Sequence, residues 1–129
     1  KKIEAEIKCP DEDITAKISR IYLNLIVANL VENAVKFNDS EVVKLTISIN
    51  KKDGKTEVSV KDNGIGIPPE DREKIFEKFY QGEKHFTGNV EGAGLGLALV
   101  KRLADSHDGQ ISLVSRIKEG TTFTFTLPA

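Results

Sequence analysis

The run from about Ile14 to Phe37 carries apolar residues at Ile14, Ile18, Ile21, Leu25, Ala28, Val31 and Val35, a three- and four-residue spacing that predicts one long helix packed on a core. Within it, Asn29-Leu30-Val31-Glu32-Asn33-Ala34-Val35-Lys36-Phe37 sets Asn29, Asn33 and Lys36 on one face with Phe37 beside them, because residues three and four apart are stacked neighbours. Asn is a poor helix-interior residue, since its amide competes for the backbone, so two in mid-helix call for a reason. A hard cation such as Mg²⁺ takes oxygen ligands at roughly 2.0–2.1 Å, one or two from protein and the rest from phosphate and water. One Asn carbonyl could serve, and a Lys one turn further on would reach phosphate as a point charge. The alternative is a polar face turned to solvent.

Length and composition narrow the class. A chain of 129 residues suits one compact domain, residues 1–129, burying about two-thirds of its unfolded surface. The net charge of −1, with acids and bases interspersed, offers no field built for nucleic acid or an anionic membrane. No apolar run approaches the ~20 residues needed to span a bilayer, and no secretory signal precedes the first pattern. The single cysteine, Cys9, has no partner for an internal disulfide, and the lack of a Cys/His cluster argues against zinc. The absence of Met, even at position 1, is expected of a piece of a longer or processed polypeptide.

The remaining elements follow from alternation and punctuation. Lys2 to Cys9 reads as a half-buried strand that Pro10 ends, and Asp11-Glu12-Asp13 would supply acids at the start of the long helix. Asn38-Asp39-Ser40 closes that helix. Val42 to Asn50 and Thr56 to Asp62 alternate on either side of a short polar turn holding Asp53-Gly54, as in an antiparallel hairpin. Asp62-Asn63-Gly64-Ile65-Gly66-Ile67-Pro68 follows, with glycines that let backbone approach a flat ligand and an acid able to accept from an exocyclic amine. Pro69 to Lys74 predicts a short helix, and Ile75-Phe76-Glu77-Lys78-Phe79-Tyr80 carries much of the aromatic content. Gln81 to Glu91 reads as a mobile loop. Gly92-Ala93-Gly94-Leu95-Gly96-Leu97 opens a helix running to about Ser106, where bare backbone N–H groups make a phosphate cradle. It is not a Rossmann fingerprint, because a loop and not a strand precedes it, nor a Walker motif, because Gly-Lys-Ser/Thr is missing. Gln110 to Ser115 and Thr121 to Leu127 are the last strands, with Phe123, Phe125 and Leu127 on one side.

These stretches, in this order, resemble the catalytic and ATP-binding domain of sensor histidine kinases. Asn29 to Phe37 is similar to the family's N box, Asp62 to Pro68 to its G1 box, Ile75 to Tyr80 to its F box, Gly92 to Leu97 to its G2 box and Gly120 to Phe125 to its G3 box. The resemblance implies an α/β two-layer sandwich of the Bergerat type: a mixed, mostly antiparallel sheet of about five strands covered on one face by about three helices. It implies ATP and Mg²⁺ as ligands, with Asn33 on the metal, Asn29 supporting it, Lys36 on phosphate and Phe37 near ribose or adenine. Asp62 would bind the adenine amine with help from Thr121, Gly64 and Gly66 would leave room for the base, and amides around Gly94, Leu95 and Gly96 would meet the phosphates. Ile67, Tyr80 and Leu97 complete the implied nucleotide set, and residues 81–91 would form a lid. Gln81 stands where an Arg is common, so a lid cation on the γ-phosphate would come from Lys78, Lys84 or His85. Lys118 replaces the first G3 glycine, Ala93 a common Thr, and Leu25 an often polar residue.

The implied activity is transfer of the γ-phosphate to a histidine on a separate dimerisation and phosphoacceptor domain, and through the full-length kinase to a response regulator. Neither His85 nor His107 lies in an acceptor motif. The resemblance implies a cytoplasmic domain with no nucleic acid or membrane contact of its own, whether or not the parent is membrane-anchored. A gyrase-type ATPase shares the fold but needs a glutamate one turn before the metal-binding Asn. Here that place holds Asn29, which takes no proton at neutral pH, and the adjacent Glu32 points about 100° away. A non-catalytic nucleotide-binding or docking module and a serine kinase acting on an anti-sigma partner remain as other readings.

Overall fold

The computed structural model describes residues 2–9, 18–77 and 96–128. Five strands form one mixed sheet: β1 (Lys2–Lys8), β2 (Val42–Lys52), β3 (Lys55–Asp62), β4 (Gln110–Arg116) and β5 (Gly120–Pro128), in the order β1-β2-β3-β5-β4. β1 runs parallel to β2 and every other neighbour is antiparallel. A parallel pair needs a crossover, and α1 (Arg20–Lys36) lies on it. The helix α2 (Gly96–Ser106) packs on α1, β4 and β5, and two 3-10 turns, Pro69–Asp71 and Lys74–Phe76, follow β3. No helix among the described residues is long and apolar enough to cross a membrane.

Alternation along the strands makes one face apolar and one polar. Val60, Phe123, Phe125 and Leu127 are buried against Ile26 and Leu30 of α1 and Val100 and Ala104 of α2, Val43 and Leu45 form a second buried cluster with Ala34 of α1, and Val58 is buried on the same face of β3 as Val60. The opposite face is polar, and there Ser59 and Thr124 hydroxyls pair across strands at 3.2 Å. The β2–β3 loop is the two residues Asp53-Gly54, both at positive φ (53° and 75°), as a tight hairpin of the native twist requires. Phe76 stands edge-on to Phe123, with ring centroids 6.4 Å apart, which ties the second 3-10 turn to the sheet.

Several sequence expectations need correction. The long helix does not reach back to Ile14: Ile18 lies outside it, and Ser19 caps it, its hydroxyl accepting from the Tyr22 N–H at 3.2 Å. Asp11-Glu12-Asp13 lie outside the described residues and are not its first turn. Its buried stripe is Ile26, Leu30 and Ala34, whereas Ile21 and Leu25 of the expected stripe are 71% and 40% exposed. Apolar residues occur all round α1, so spacing alone does not select the core face. β1 is exposed along its whole length rather than half-buried, because it is an edge strand at the margin of the helical layer. Pro69 to Lys74 forms 3-10 turns rather than one helix.

Candidate functional site

One end of the sheet, where β3 stops and β5 starts, carries inward-facing polar residues in place of the apolar ones found further along. Asp62 closes β3 and is buried there. Its Oδ1 accepts from the Gly64 N–H at 2.8 Å and from the Thr121 N–H at 3.2 Å. Burial raises its pKa above the ordinary carboxylate value, and these two backbone N–H groups oppose that rise. Both donors go to Oδ1 and neither to Oδ2.

The turn after Asp62 is fastened on three sides. Asn63 Oδ1 accepts from Asn38 Nδ2 at 2.8 Å and from the Lys44 N–H at 2.9 Å, while its Nδ2 donates to the Val42 carbonyl at 3.1 Å. The carboxamide thereby continues the β2–β3 ladder beyond the Leu45–Asp62 pair. The Ile65 N–H donates to the Phe37 carbonyl at 3.1 Å, and the Lys118 N–H to the Ile65 carbonyl at 2.8 Å. Gly66, at φ 79°, has the Arg116 backbone where a Cβ would stand, and Gly64 has the Phe37 carbonyl there. The space beside both glycines is therefore filled by protein backbone, not left open for a base on that side. Lys118 itself sits at φ 66°, the left-handed region that a glycine would occupy without strain.

The two carboxamides of α1 lie one turn apart, on the helix whose end, Phe37, meets this turn. Asn29 Nδ2 donates to the Leu25 carbonyl at 2.8 Å, and Asn33 Nδ2 to the Asn29 carbonyl at 2.9 Å. A carbonyl accepts only from the nitrogen end of an amide, so both side chains direct their oxygens away from their own helix backbone. A Cβ on Gly96 would lie 2.7 Å from Asn29 Oδ1, so this glycine allows the N-terminus of α2 to close against that oxygen. Lys36 Nζ lies 2.6 Å from Glu32 one turn back, in a pair whose ammonium is half-buried and whose carboxylate is exposed. Among the described residues no group of three or more His, Cys, Asp or Glu could cage a metal. A single amide oxygen fits a Mg²⁺ that takes its other ligands from phosphate and water.

Of the expected site residues, the structure brings Asn29 and Gly96 together, and Asp62, Gly64 and Thr121 together. Ile67 is buried in the main core, and Phe37 and Leu97 pack against it. The Thr121 hydroxyl faces Ser115 at 2.7 Å, so its link to Asp62 runs through the backbone N–H. Lys78, Tyr80, Lys84, His85, Gly94, Leu95 and the lid at 81–91 lie outside the described residues. His107 is at the end of α2, with Nδ1 2.8 Å from the Leu103 carbonyl and its ring edge-on to Tyr22. Sequence reasoning passed over Asn63, Arg72 and Ser115. For Ser115 a signal existed, because it occupies an inward position of β4 in register with Thr121, after the apolar Ile111 and Leu113.

A family model described as histidine kinase-, DNA gyrase B- and HSP90-like ATPase matches residues 18–129. The chain belongs to this ATPase family. Within it, the sensor histidine kinase WalK of Bacillus subtilis is 39% identical over 120 residues, a match covering 92% of this chain and 20% of WalK. The chain thus spans about a fifth of that relative's length. The catalytic domain of histidine kinase ThkA, in a nucleotide-free form, superposes with a TM-score of 0.81 at 31% identity, covering 98% of this chain and 80% of that one. Full-length ShkA in complex with AMPPNP also matches with a TM-score of 0.81 at 31% identity, over 98% of this chain and 25% of that one. By sequence and by fold this family member is of the histidine kinase catalytic type.

Proposed function

We propose that this chain binds MgATP and presents its γ-phosphate to a histidine supplied by a separate dimerisation domain of the parent kinase. The observation that carries this reading is the contact between Gly96 and Asn29, which sets the first described turn of α2 against the carboxamide face of α1. Phosphates would meet backbone N–H groups where the glycine run Gly92 to Gly96 leads into α2, with Lys36 as an additional cation. The Asn33 oxygen would hold the magnesium, whose chemistry is to neutralise charge on the phosphates and orient them. Asp62 Oδ2 would accept from the adenine amine, its partner oxygen held by Gly64 and Thr121. Catalysis in such a site is mostly positioning and charge stabilisation for in-line attack by the imidazole.

Water is a poor acceptor here. Asn29 stands one turn before Asn33, where a hydrolytic relative needs a base, and its amide nitrogen is already donated to the Leu25 carbonyl. The isolated chain should therefore turn over ATP to inorganic phosphate negligibly. Titration with ATP and ADP, with and without Mg²⁺, tests binding, and Asn33→Ala should abolish the Mg²⁺-dependent part. Adding the dimerisation domain and γ-labelled ATP should yield acid-labile phosphohistidine. Binding without label would favour a docking module instead, and ordinary ATPase turnover by the chain alone would overturn the assignment of Asn29.

A further inference from the structure

Ser115 is 5% exposed and joins groups that are distant in sequence. Its Oγ donates to the Gly120 carbonyl at 3.1 Å, accepts from the Ile67 N–H at 2.8 Å and lies 2.7 Å from the Thr121 hydroxyl. Either hydroxyl can be the donor in the third contact, since the single Ser115 proton faces both the Gly120 carbonyl and the Thr121 hydroxyl. The Ser115 carbonyl accepts from Arg72 Nη2 at 2.6 Å, and Arg72 Nε donates to the Ile67 carbonyl at 3.3 Å. Residue 115 therefore holds the N–H of Ile67 directly and its C=O through Arg72. The Thr121 N–H in turn donates to Asp62, which also receives Gly64. The turn from Asp62 to Ile67 is thus closed into a ring through Ser115 and Thr121.

We propose that Ser115 is a positioning residue for the carboxylate of Asp62, fixing the direction of Oδ2 and with it the discrimination between 6-amino and 6-oxo purines. The purine part rests on the nucleotide reading above, whereas the coupling of Ser115 to Asp62 does not. Without the hydroxyl, Thr121 and Ile67 lose their common anchor. Asp62 then keeps Gly64 but shares a looser bond with the Thr121 N–H, and its second oxygen samples directions that no longer meet an amine.

The test compares wild type, Ser115→Ala and Ser115→Thr as the full chain, with two readouts. The first is the titration of the Asp62 side-chain carboxyl by ¹³C NMR without nucleotide, and the second is the affinity for MgATP against MgGTP. Ser115→Ala should move the Asp62 titration to higher pH, because a donor to the carboxylate is weakened. It should lower ATP affinity by about 3- to 10-fold, the equivalent of one hydrogen bond, and lower the ATP-to-GTP preference in proportion. Ser115→Thr, which keeps the hydroxyl, should restore both. An unchanged Asp62 titration and an unchanged ATP-to-GTP ratio in Ser115→Ala would overturn the proposal whatever happens to the melting temperature. Should Ser115→Ala fail to fold, Thr121→Val breaks the same hydroxyl contact from the other side and is judged by the same two readouts. A wild-type chain that binds neither nucleotide would sink the purine reading, and the Asp62 titration would still decide the coupling.

Discussion

Replacing Asp62 by Asn exchanges one oxygen for an amino group at nearly constant shape. The Gly64 and Thr121 N–H groups, 2.8 and 3.2 Å from Oδ1, continue to demand an acceptor, so the amide oxygen of Asn must take that place. Its NH₂ then points where Oδ2 was, and two donors face each other across the proposed adenine contact. Loss of a hydrogen bond to a charged acceptor costs about 1.5–3 kcal/mol, a roughly 10- to 100-fold weaker ATP affinity. A 6-oxo purine presents an acceptor instead, so affinity for inosine or guanosine triphosphate should fall far less or rise. Isothermal titration with MgATP and MgITP at neutral pH measures both. ATP affinity within twofold of wild type would refute the placement of this carboxylate on the base.

The same variant tests the cost of burial. The Asp62 carboxyl has a folded pKa above its unfolded value, chiefly through desolvation. Its contribution to stability is therefore complete below the unfolded pKa and is lost as pH rises through the folded one. At neutral pH the wild-type chain without nucleotide carries that loss and Asp62→Asn does not. The variant should melt higher at neutral pH, and the gap should close as pH falls through the raised pKa. A lower melting temperature at neutral pH would contradict the argument.

Two further substitutions separate stability from binding. Gly96→Ala adds a Cβ that would sit 2.7 Å from Asn29 Oδ1, so it should weaken MgATP binding several-fold in a titration. The same change favours the helix by up to about 1 kcal/mol, so a thermal melt should show little loss. Lys118→Gly relieves the φ of 66° at the β4–β5 turn and should raise stability in denaturant by up to about 1 kcal/mol, offset in part by the greater freedom of unfolded glycine. No gain would mean that the Lys118 side chain compensates for its backbone.

Local pattern told much of the fold. Alternation at Val42 to Asn50, Thr56 to Asp62 and Thr121 to Leu127 identified strands that the structure extends by only one or two residues at an end. Asp53-Gly54 marked a hairpin, because turn preferences are properties of adjacent residues. Pattern failed where a partner from elsewhere decides. Of the expected stripe, Ile18, Val31 and Val35 pack against the core but Ile21 and Leu25 do not, since the sheet takes the side of α1 centred on Ile26, Leu30 and Ala34. β1 alternates as a half-buried strand does and is nonetheless exposed at its edge.

The candidate site divides in the same way. The residue types that can meet a metal, a phosphate and a base were written in the sequence: carboxamides one turn apart at Asn29 and Asn33, alternate glycines leading into a helix from Gly92 to Gly96, an acid ending a strand at Asp62. Which oxygen of Asp62 is held, and the service of Asn63 and Ser115 as fasteners, were decided only when the chain closed. Those contacts join residues 63 to 42, 115 to 67 and 121 to 62, far apart along the chain. Chemistry travels with the side chain, but direction depends on its neighbours, and those neighbours exist only in the folded molecule.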